Sequence, residues 1–525
     1  MLSVAVLLEL SPLTVLAGLV ALPMALFICS SLLATGAKCE PLTKGTRKVW
    51  RPLGTLPLLQ NTLALVMHVP DFHDWFASLC KHFDGEPYLI KSWGRPDLMI
   101  LSTPQASEDM FKTEFANFPK GDFFNDNLRD LLGEGIFAVD GAKWVHQRKT
   151  ASHLFTMRAL RDSMTATVQS HALVLHQVLA RSVDQQSSID LFKLFNQFTI
   201  EVFAEIGFGI HMGCLDSETE HPFQTAFDSA QRIIALRFLR PGALWRVQRF
   251  LGIGAEGELK KNMKAIDDTV LDIVAKSLKR RNDTTSTSDG EKDTDIVSLF
   301  LDNASQNPDF SGREFDPVYL RDIVVNFLIA GRDTTAQALS WFFFNLSSHP
   351  KVEKKIRDEI AAAIPELVSG AISTPSMGQV QHLVYLEAAL KETLRLHPSV
   401  PFMTKAVAHD IVLSDGTFIR GNTTVGVPAY GMGRMTSVWG PDAEQFNPDR
   451  WIDAATDKVK TESPYKFVAF NAGPRICLGM NLAMLEMKLV VAGLLSKFHV
   501  ELLLNQHITY DFSLTLPVHG AMMAT

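Results

Sequence analysis

The sequence predicts a mainly α-helical protein with a small β portion, preceded by one N-terminal transmembrane helix. An uncharged apolar run covers Leu10 to Ala37, and long apolar segments that end at prolines recur through the rest of the chain. Strand-like segments are short and few by comparison. The 525 residues therefore divide into a membrane anchor at 1–37, a basic, proline-containing hinge at 38–60 and one large domain at 61–525.

The N-terminal apolar run is longer than the ~20 residues that a membrane-spanning helix needs. A secretory signal peptide is the alternative, but its apolar core is only ~7 to 15 residues long. Basic residues follow the run from Lys38 to Arg51, whereas Glu9 is the only charged residue before it. By the positive-inside tendency, the domain after the anchor stays on the cytosolic side of the membrane.

Two segments after the anchor favour irregular structure. Pro52 and Pro57 bracket Gly54, a spacing that favours a stiff, non-helical connector between membrane and domain. Residues 281–295, "RNDTTSTSDGEKDTD", are polar throughout, and we interpret them as a surface loop.

Helices are predicted from caps, prolines and apolar periodicity. Residues 316–350 predict one long helix with Asp316 as N-cap and Pro317 at the first helical position, ending before Pro350. The middle of this segment is apolar on nearly all sides, which predicts burial in the core. Two further helices are predicted in "SSHPKVEKKIRDEIAAAI" and "LVYLEAALKETLRLHP".

Strands are predicted in a few short segments. These are "PYLIKSWG", "PDLMILST", "AVAHDIVL", "DGTFIRGNTTVGVP" and "HVELLL".

Composition excludes two classes of site. With 57 acidic against 50 basic residues and a net charge of −7, the chain has no basic footprint for nucleic acid. The five cysteines have no zinc-like spacing, and their scatter fits a reducing compartment without disulfides. They are Cys29, Cys39, Cys80, Cys214 and Cys477.

The long predicted helix carries "GRDTT", Gly331 to Thr335, in its middle. Glycine costs ~1 kcal/mol relative to alanine in a helix, and buried polar groups need partners. One interpretation is a tolerated kink, with the threonines bonded back to the preceding turn. The other is a local opening against a cofactor, where Asp333 and Thr334 pass protons to a bound species. This motif by itself does not choose between them.

Two pairs of residues are candidates for charge recognition. Glu392 and Arg395 lie on one helix face and form a surface salt bridge worth less than about 1 kcal/mol unless another group, such as Arg450, joins them. Trp144 and Arg148, four residues apart, can both donate hydrogen bonds to an anion. Stacking of the two side chains on the surface is the alternative.

The segment "FNAGPRICLG", residues 470–479, surrounds one thiol with glycines. A buried free cysteine is usually a small apolar residue. Here Gly473 and Gly479 allow turns that bring amide N–H groups near the sulfur of Cys477, and Arg475 adds a positive charge that favours the thiolate. We therefore consider Cys477 a candidate metal ligand.

Together these motifs resemble those of the cytochrome P450 family. The segment around Cys477 is similar to the haem-ligand loop, F-x-x-G-x-R-x-C-x-G, of that family. The remaining matches occur in the family's order: W-x-x-x-R at Trp144 and Arg148, A/G-G-x-D/E-T-T at Ala330 to Thr335, E-x-x-R at Glu392 to Arg395, and the later arginine at Arg450.

The resemblance implies the cytochrome P450 fold and a haem b cofactor, iron protoporphyrin IX. It implies that Cys477 is the axial thiolate ligand of the iron, within a cofactor-binding loop that begins at Phe470. The implied partners of the haem propionates are Trp144, Arg148 and Arg475, together with Lys405 where family members often have arginine. Lysine supplies charge but not the bidentate geometry of a guanidinium group.

The resemblance also assigns roles around the haem. Asp333 and Thr334 resemble the acid and alcohol that deliver protons during oxygen activation, whereas Glu392, Arg395 and Arg450 resemble a structural triad. A related hydroxylase group carries glutamate at the position of Ala330, where it can form an ester with the haem. Because alanine cannot, we expect haem held non-covalently apart from the Cys477–iron bond.

Longer segments, such as "GEGIFAVDGAKWVHQRKTASHLF", are most similar to the fatty-acid and alkane omega-hydroxylases of the family. This implies hydroxylation of a medium- or long-chain fatty acid at or near the omega carbon, on the cytosolic face of the endoplasmic reticulum membrane. The expected partners are an apolar substrate, O2 and NADPH–cytochrome P450 reductase, because no GxGxxG nucleotide motif is present. The segment "FPKGDFFNDN", residues 118–127, is expected to line the channel, together with Phe327, Leu328, Val400, Phe402 and Leu516.

Other functions remain open from the sequence. The substrate could be an alkane, a sterol or a xenobiotic. A haem enzyme that rearranges lipid hydroperoxides is less consistent with Asp333 and Thr334, since such an enzyme needs no proton relay. A haem sensor or electron carrier is an alternative of another class.

Overall fold

The computed structural model describes most of the chain after the hinge. The predicted anchor at 1–37 and part of the hinge lie outside the described residues. Among the helices that are described, none is both long enough and apolar enough to cross a membrane. The described residues are 39–40, 47–52, 55–56, 59–217, 220–285, 295–304 and 316–525.

Helices dominate the described residues, as the sequence predicts. The longer ones are α2 (Phe72–Phe83), α4 (Asp122–Leu132), α5 (Gly141–Ser152), α7 (Thr165–Asp184), α8 (Leu191–Phe208), α9 (Pro222–Arg237), α10 (Gly242–Leu251), α11 (Gly254–Thr285), α12 (Ile296–Ala304), α13 (Pro317–Ser347), α14 (Pro350–Ala363), α17 (Val384–Leu396) and α20 (Met480–Lys497). The shorter ones are α1 (Thr62–Met67), α3 (Pro104–Glu108), α6 (Met157–Ala159), α15 (Pro365–Val368), α16 (Met377–Val380), α18 (Ala429–Met432) and α19 (Thr436–Trp439).

The strands are short and form a minor part of the fold. Their bounds are β1 (Cys39–Glu40), β2 (Val49–Trp50), β3 (Tyr88–Ile90), β4 (Leu98–Ile100), β5 (Ile189–Asp190), β6 (Met403–Ala406), β7 (Ile411–Val412), β8 (Phe418–Ile419), β9 (Thr424–Val427), β10 (Ile452–Asp453), β11 (Lys458–Val459) and β12 (Met523–Ala524). A six-stranded sheet has the order β1-β2-β3-β4-β9-β6, and two-stranded sheets pair β7 with β8, β10 with β11 and β5 with β12.

Helix α13 runs through the core and begins where the sequence predicts. The Asp316 carboxylate accepts a hydrogen bond from the Val318 amide at 2.9 Å, and Pro317 occupies the first turn. The helix packs against α8, α11, α17 and α20, so its apolar residues are buried on nearly every side. A separate apolar core lies between the six-stranded sheet and α2.

Two predictions from the sequence, one of a strand and one of a surface loop, need correction. The segment "HVELLL" is not a full strand. It pairs with the C-terminus only around the bridge between Leu502 and Ala524, because a turn follows at Leu504. The predicted surface loop at 281–295 is helical in its first part, since α11 continues to Thr285. Residues 286–294 lie outside the described part of the chain.

Candidate active site

The loop that carries Cys477 is held by its own backbone and by two glycines. The Cys477 amide donates to the Phe470 carbonyl at 2.9 Å, which closes the loop. Gly473 has φ of +61°, and a Cβ atom there would lie 1.9 Å from the Phe111 carbonyl oxygen. Only glycine fits this position. Gly479 is the N-cap of α20, so the thiol lies directly before that helix.

Cys477 lies deep in the protein, yet its thiol is accessible because it faces a large internal cavity. Burial raises the pKa of this thiol, and the Gly479 amide and the charge of Arg148 oppose that rise. The cation acting on the sulfur is therefore Arg148, whereas the sequence had suggested Arg475.

The cavity has a volume of about 470 Å³ and walls that are mostly apolar. Cys477, Leu478 and Leu482 line one part of it, and Ala330, Gly331 and Thr334 of α13 line another. Of the predicted channel residues, Phe327, Val400 and Phe402 line the cavity. Leu328 and Leu516 do not, because both are fully buried in the helical core. Phe123 and Phe124 of α4 complete the aromatic wall.

Trp144, Arg148 and Arg475 come together beside the cysteine loop. Arg148 donates to the Ile476 carbonyl at 2.7 Å, and the Arg475 guanidinium lies 4.5 Å from the centroid of the Trp144 ring. Arg475 also donates to the Asp140 carboxylate at 2.5 Å. Stacking on the surface is therefore not what the structure shows, because Trp144 is buried; its ring holds the Arg475 guanidinium group in place, and Arg148 lies 5.9 Å from the same ring.

Lys405 faces the same part of the cavity from β6. Its side chain is buried, and its Nζ atom has no hydrogen-bond partner among the described residues. Burial lowers the pKa of Lys405 well below its ordinary value, and the charges of Lys120 and Arg475 lower it further. Burial and the charge of Arg475 also lower the pKa of Lys120 to about 7. Sequence reasoning placed the segment that contains Lys120 at the channel but did not identify Lys120 as a cation for a ligand, because its neighbours are aromatic.

This cluster of cations tests whether haem fits the site. Lys405 Nζ and Arg475 Nε are both buried without hydrogen-bond partners among the described residues, and both residues line the cavity. Arg475 is paired with Asp140 through its Nη2 atom, but a buried donor without an acceptor is costly, and an anion that joined Lys405 Nζ and Arg475 Nε would relieve that cost. The two propionates of haem supply two carboxylates, and Cys477 supplies a thiolate, so the residues present fit the group.

Helix α13 does not open at the "GRDTT" motif. Thr334 donates back to the Ala330 carbonyl at 2.7 Å, and the helix is continuous from Pro317 to Ser347. The reason for Gly331 is packing, because a Cβ atom there would lie 2.1 Å from the Phe203 ring of α8. Thr334 nonetheless lines the cavity.

Asp333 lies away from the cavity wall, in a buried polar network. Its carboxylate accepts from Gln231 at 2.7 Å and from Arg332 at 3.0 Å. Arg332 in turn binds Asp228, whose side chain is half exposed, at 2.6 Å. Burial raises the pKa of Asp333 to about 6, and the charge of Arg332 opposes that rise. Sequence reasoning did not identify Asp228 or Gln231, since both lie on α9, far away in the chain.

The structure brings Glu392, Arg395 and Arg450 together. Arg395 binds both carboxylate oxygens of Glu392 at 2.8 Å, and Arg450 Nε donates to Glu392 at 2.9 Å. The Asn447 amide and the Trp451 indole donate to the same carboxylate. The side chains of Glu392 and Arg395 are fully buried, so this is a buried network with satisfied partners and not a surface salt bridge.

Comparison with known proteins identifies the class of protein that this fold and site define. The model of the cytochrome P450 family matches residues 51–521, and the chain belongs to that family of haem-thiolate monooxygenases. Members of the family use haem b held by a cysteine–iron bond, and act with O2, an apolar substrate and a redox partner that supplies electrons.

Similar proteins come from several plants. The chain is 35% identical to cytochrome P450 86B1 of Arabidopsis thaliana, over 90% of this chain and 84% of that protein. It is 33% identical to cytochrome P450 704C1 of Pinus taeda, over 94% and 96% of the two chains. It is also 35% identical to cytochrome P450 94B1 of Arabidopsis thaliana, over 85% and 86%.

Proposed function

We propose that this protein is a membrane-anchored monooxygenase that hydroxylates a medium- or long-chain fatty acid at or near the omega carbon. The electrons come from NADPH through NADPH–cytochrome P450 reductase. The observation that carries the proposal is the mostly apolar cavity of about 470 Å³ that Cys477 lines, with Phe327, Val400 and Phe402 on its walls. An extended hydrocarbon chain fits such walls, because burying apolar surface is favourable in the absence of polar partners. The resemblance to omega-hydroxylases supports the same substrate class.

The residues around the cavity then have distinct roles. The Cys477 thiolate ligates the iron, in the loop that begins at Phe470. Lys405 and Arg475 bind the propionates, with Trp144 and Arg148 holding the loop and the guanidinium group in place. Bound haem, held through the Cys477 thiolate, would supply the oxygen activation.

Two neighbouring residues of α13 supply protons from different faces of the helix. The Thr334 hydroxyl lies at the cavity wall, and because it donates to Ala330 its oxygen remains free to accept. The Asp333 carboxylate connects through Arg332 to the partly exposed Asp228. The pKa of Asp333, about 6, suits a group that gains and loses a proton near neutral pH.

An exposed apolar surface supports a membrane location. The membrane-facing patch, as we call it, combines α1, the β3–β4 turn and α10, which adjoin because Trp93 N donates to Thr62 Oγ1 at 2.8 Å and Gly94 packs on Pro241. Clustered exposed side chains of this kind favour a lipid interface. The patch consists of Val66, Met67, Trp93, Leu244, Val247, Phe250 and Leu251.

We further propose that residues 1–37 anchor the protein in the endoplasmic reticulum membrane, that 38–60 form a hinge, and that the domain at 61–525 faces the cytosol. The membrane-facing patch then lies against the bilayer on the same side as the anchor. An apolar substrate dissolved in the membrane would reach the cavity without crossing water.

A ligand titration tests the proposal. Purified holoprotein is titrated with fatty acids, alkanes and sterols while the spin-state shift of the haem Soret band is recorded, and products are then identified with NADPH and reductase. We expect fatty acids to shift the band and to be oxidised near the methyl end. Turnover of alkanes or sterols alone would replace the substrate assignment, and hydroperoxide turnover without NADPH would replace the reaction. A six-coordinate iron that no ligand perturbs would instead indicate a sensor or electron carrier.

A further inference from the structure

A cluster of three side chains lies at the C-terminal end of α8. It consists of His171 of α7, Glu205 of α8 and His211 of the loop that follows α8, and none of the three lines the cavity. One ligand atom of each side chain lies within 4.8 Å of the ligand atoms of the other two. The described part of the chain holds no other group of three histidine, cysteine or acidic side chains with this spacing.

Both imidazole rings direct a nitrogen at the same carboxylate oxygen. His171 Nε2 lies 2.6 Å from Glu205 Oε2, and His211 Nδ1 lies 3.4 Å from that oxygen. Ligand atoms lie about 2.0 to 2.2 Å from a tetrahedral zinc ion, and therefore roughly 3.3 Å from one another. The His211–Glu205 separation already fits this spacing. The shorter separation needs to widen by about 0.7 Å, which a small rotation of the partly exposed Glu205 side chain supplies.

The types of ligand favour a transition-metal ion over a hard cation. Two imidazoles and one carboxylate are ligands of zinc in proteins, whereas Mg²⁺ and Ca²⁺ prefer oxygen atoms alone. Three protein ligands leave a fourth position for water. The His211 side chain is 73% exposed and that of His171 is 10% exposed, so an ion can enter from solvent and still contact a buried ligand.

The loop that carries His211 is held in place by its own contacts. The Glu201 carboxylate accepts hydrogen bonds from three successive amides, those of residues 212–214, at 2.7 to 3.1 Å. Before His211 in the chain, the Gly209 carbonyl accepts from Arg280 at 2.8 Å. Glu201 Oε1 also lies 4.0 Å from His211 Nδ1, so a second carboxylate adds negative charge beside the cluster. Ligands that are already ordered lose little conformational entropy when an ion binds.

We propose that His171, Glu205 and His211 bind one Zn²⁺ ion, which joins α7 to the loop after α8. An ion that binds the folded chain more tightly than the unfolded chain stabilises the fold, so Zn²⁺ should raise the midpoint temperature of unfolding. The site uses neither the haem nor the substrate. Its failure would therefore leave the proposed function intact.

The test measures zinc directly in the full-length holoprotein. The protein is dialysed against a chelator and then titrated with Zn²⁺ by calorimetry, and bound zinc per haem iron is determined by elemental analysis. We expect one tightly bound Zn²⁺ per chain and no comparable binding of Mg²⁺. His211→Ala and Glu205→Gln should each weaken Zn²⁺ binding by at least about tenfold, because even residues that only support metal ligands contribute ten- to hundredfold to affinity. Zn²⁺ should raise the midpoint temperature of the wild type and not that of either variant.

The matched control is His382→Ala, which removes an exposed histidine outside the cluster and should leave zinc binding unchanged. Equal zinc affinity in His211→Ala and the wild type would overturn the proposal, since the ion would then bind elsewhere. Mg²⁺ binding as tight as that of Zn²⁺ would overturn it as well. If the wild type binds no Zn²⁺, the contact between His171 and Glu205 is a hydrogen bond only, and the proposal fails.

Discussion

Thr334 and Asp333 are adjacent in the chain but lie in different environments. Thr334 faces the cavity, whereas Asp333 lies in the polar network with Gln231 and Arg332. Successive residues of a helix are rotated by about 100°, so two neighbours face different directions from α13. The division suits a relay in which Thr334 lies at the cavity wall and Asp333 connects through Arg332 to the partly exposed Asp228.

The hydroxyl of Thr334 is expected to couple electron use to product formation. In Thr334→Ala, we expect NADPH oxidation to continue while hydroxylated product per NADPH falls by about tenfold or more, with hydrogen peroxide released, because protons are no longer guided at the cavity wall. Thr334→Ser keeps the hydroxyl and should keep most of the coupling. Product and peroxide are measured against NADPH consumed. Full coupling in Thr334→Ala would contradict the assigned role.

His73 should make the protein sensitive to acid. It is buried on α2, where its Nε2 atom has no partner among the described residues, and Tyr430, Tyr510 and Arg434 face it. Burial, with the charge of Arg434, lowers the pKa of His73 to about 3. Below pH ~6.5 the His73 imidazole binds a proton in the unfolded chain but stays neutral in the folded protein. The free energy of unfolding therefore falls as pH falls from about 6.5 towards 3.

Replacing the His73 imidazole should remove this loss of stability in acid. In His73→Phe, we expect the decrease in the free energy of unfolding between about pH 6.5 and pH 5 to be smaller by about 2 kcal/mol than in the wild type. Thermal or denaturant unfolding at the two pH values measures it. The exposed His382 provides the control, since His382→Phe should leave the decrease in unfolding free energy between the two pH values unchanged. If His73→Phe lost as much stability in acid as the wild type, groups other than His73 would be the cause of that loss.

At the scale of elements, Glu392 joins α17 to the segments that precede the cysteine loop. Arg395 donates to the Ala443 and Gln445 carbonyls, and Arg450 donates to the Trp439 carbonyl, while both bind Glu392. The backbone here is irregular, so these carbonyl groups have no partners in a helix or sheet. The two arginine side chains bind them instead.

Loss of the Glu392 charge should therefore destabilise the domain. Glu392→Gln leaves the fully buried Arg395 without its counterion, and we expect a loss of about 3 to 5 kcal/mol in unfolding free energy together with weaker haem retention. Asp358→Asn, which breaks the exposed Lys354–Asp358 pair, is the matched control and should cost less than about 1 kcal/mol. Thermal unfolding and haem content compare the two. Similar losses of stability in the two variants would contradict the role of Glu392 in holding these segments to α17.

Elements were predictable where local signals were strong. The start of α13 follows from Asp316 and Pro317, and α14 and α17 lie within the segments that predicted them. The end of α11 was not predictable, because a polar helix that packs along one side resembles a loop in composition. The need for a glycine at position 331 comes from the Phe203 ring of α8, a contact between two helices that the local sequence does not show.

At the scale of the whole molecule, the membrane-facing patch and the proposed anchor make separable contributions. Deleting residues 1–37 should lower membrane association without abolishing it, because burial of a large apolar side chain contributes about 1.5 to 3 kcal/mol. Adding Phe250→Ser and Leu251→Ser to the deletion should release the protein further. Leu504→Ser, at an equally exposed leucine outside the patch, is the control. Flotation with vesicles measures each variant. No difference between patch and control variants would contradict a lipid-facing patch.

The sequence by itself determined the family, the candidate cysteine ligand and most helices, because these depend on short-range spacing, caps and prolines. Only the tertiary structure showed that Asp333 lies away from the cavity, that Lys120 joins the cation cluster and that the two histidines of the proposed zinc site lie together. Burial and charge are properties of groups brought together from distant segments. The local spacing of residues does not contain them, since the same lysine is solvated in one fold and buried in another.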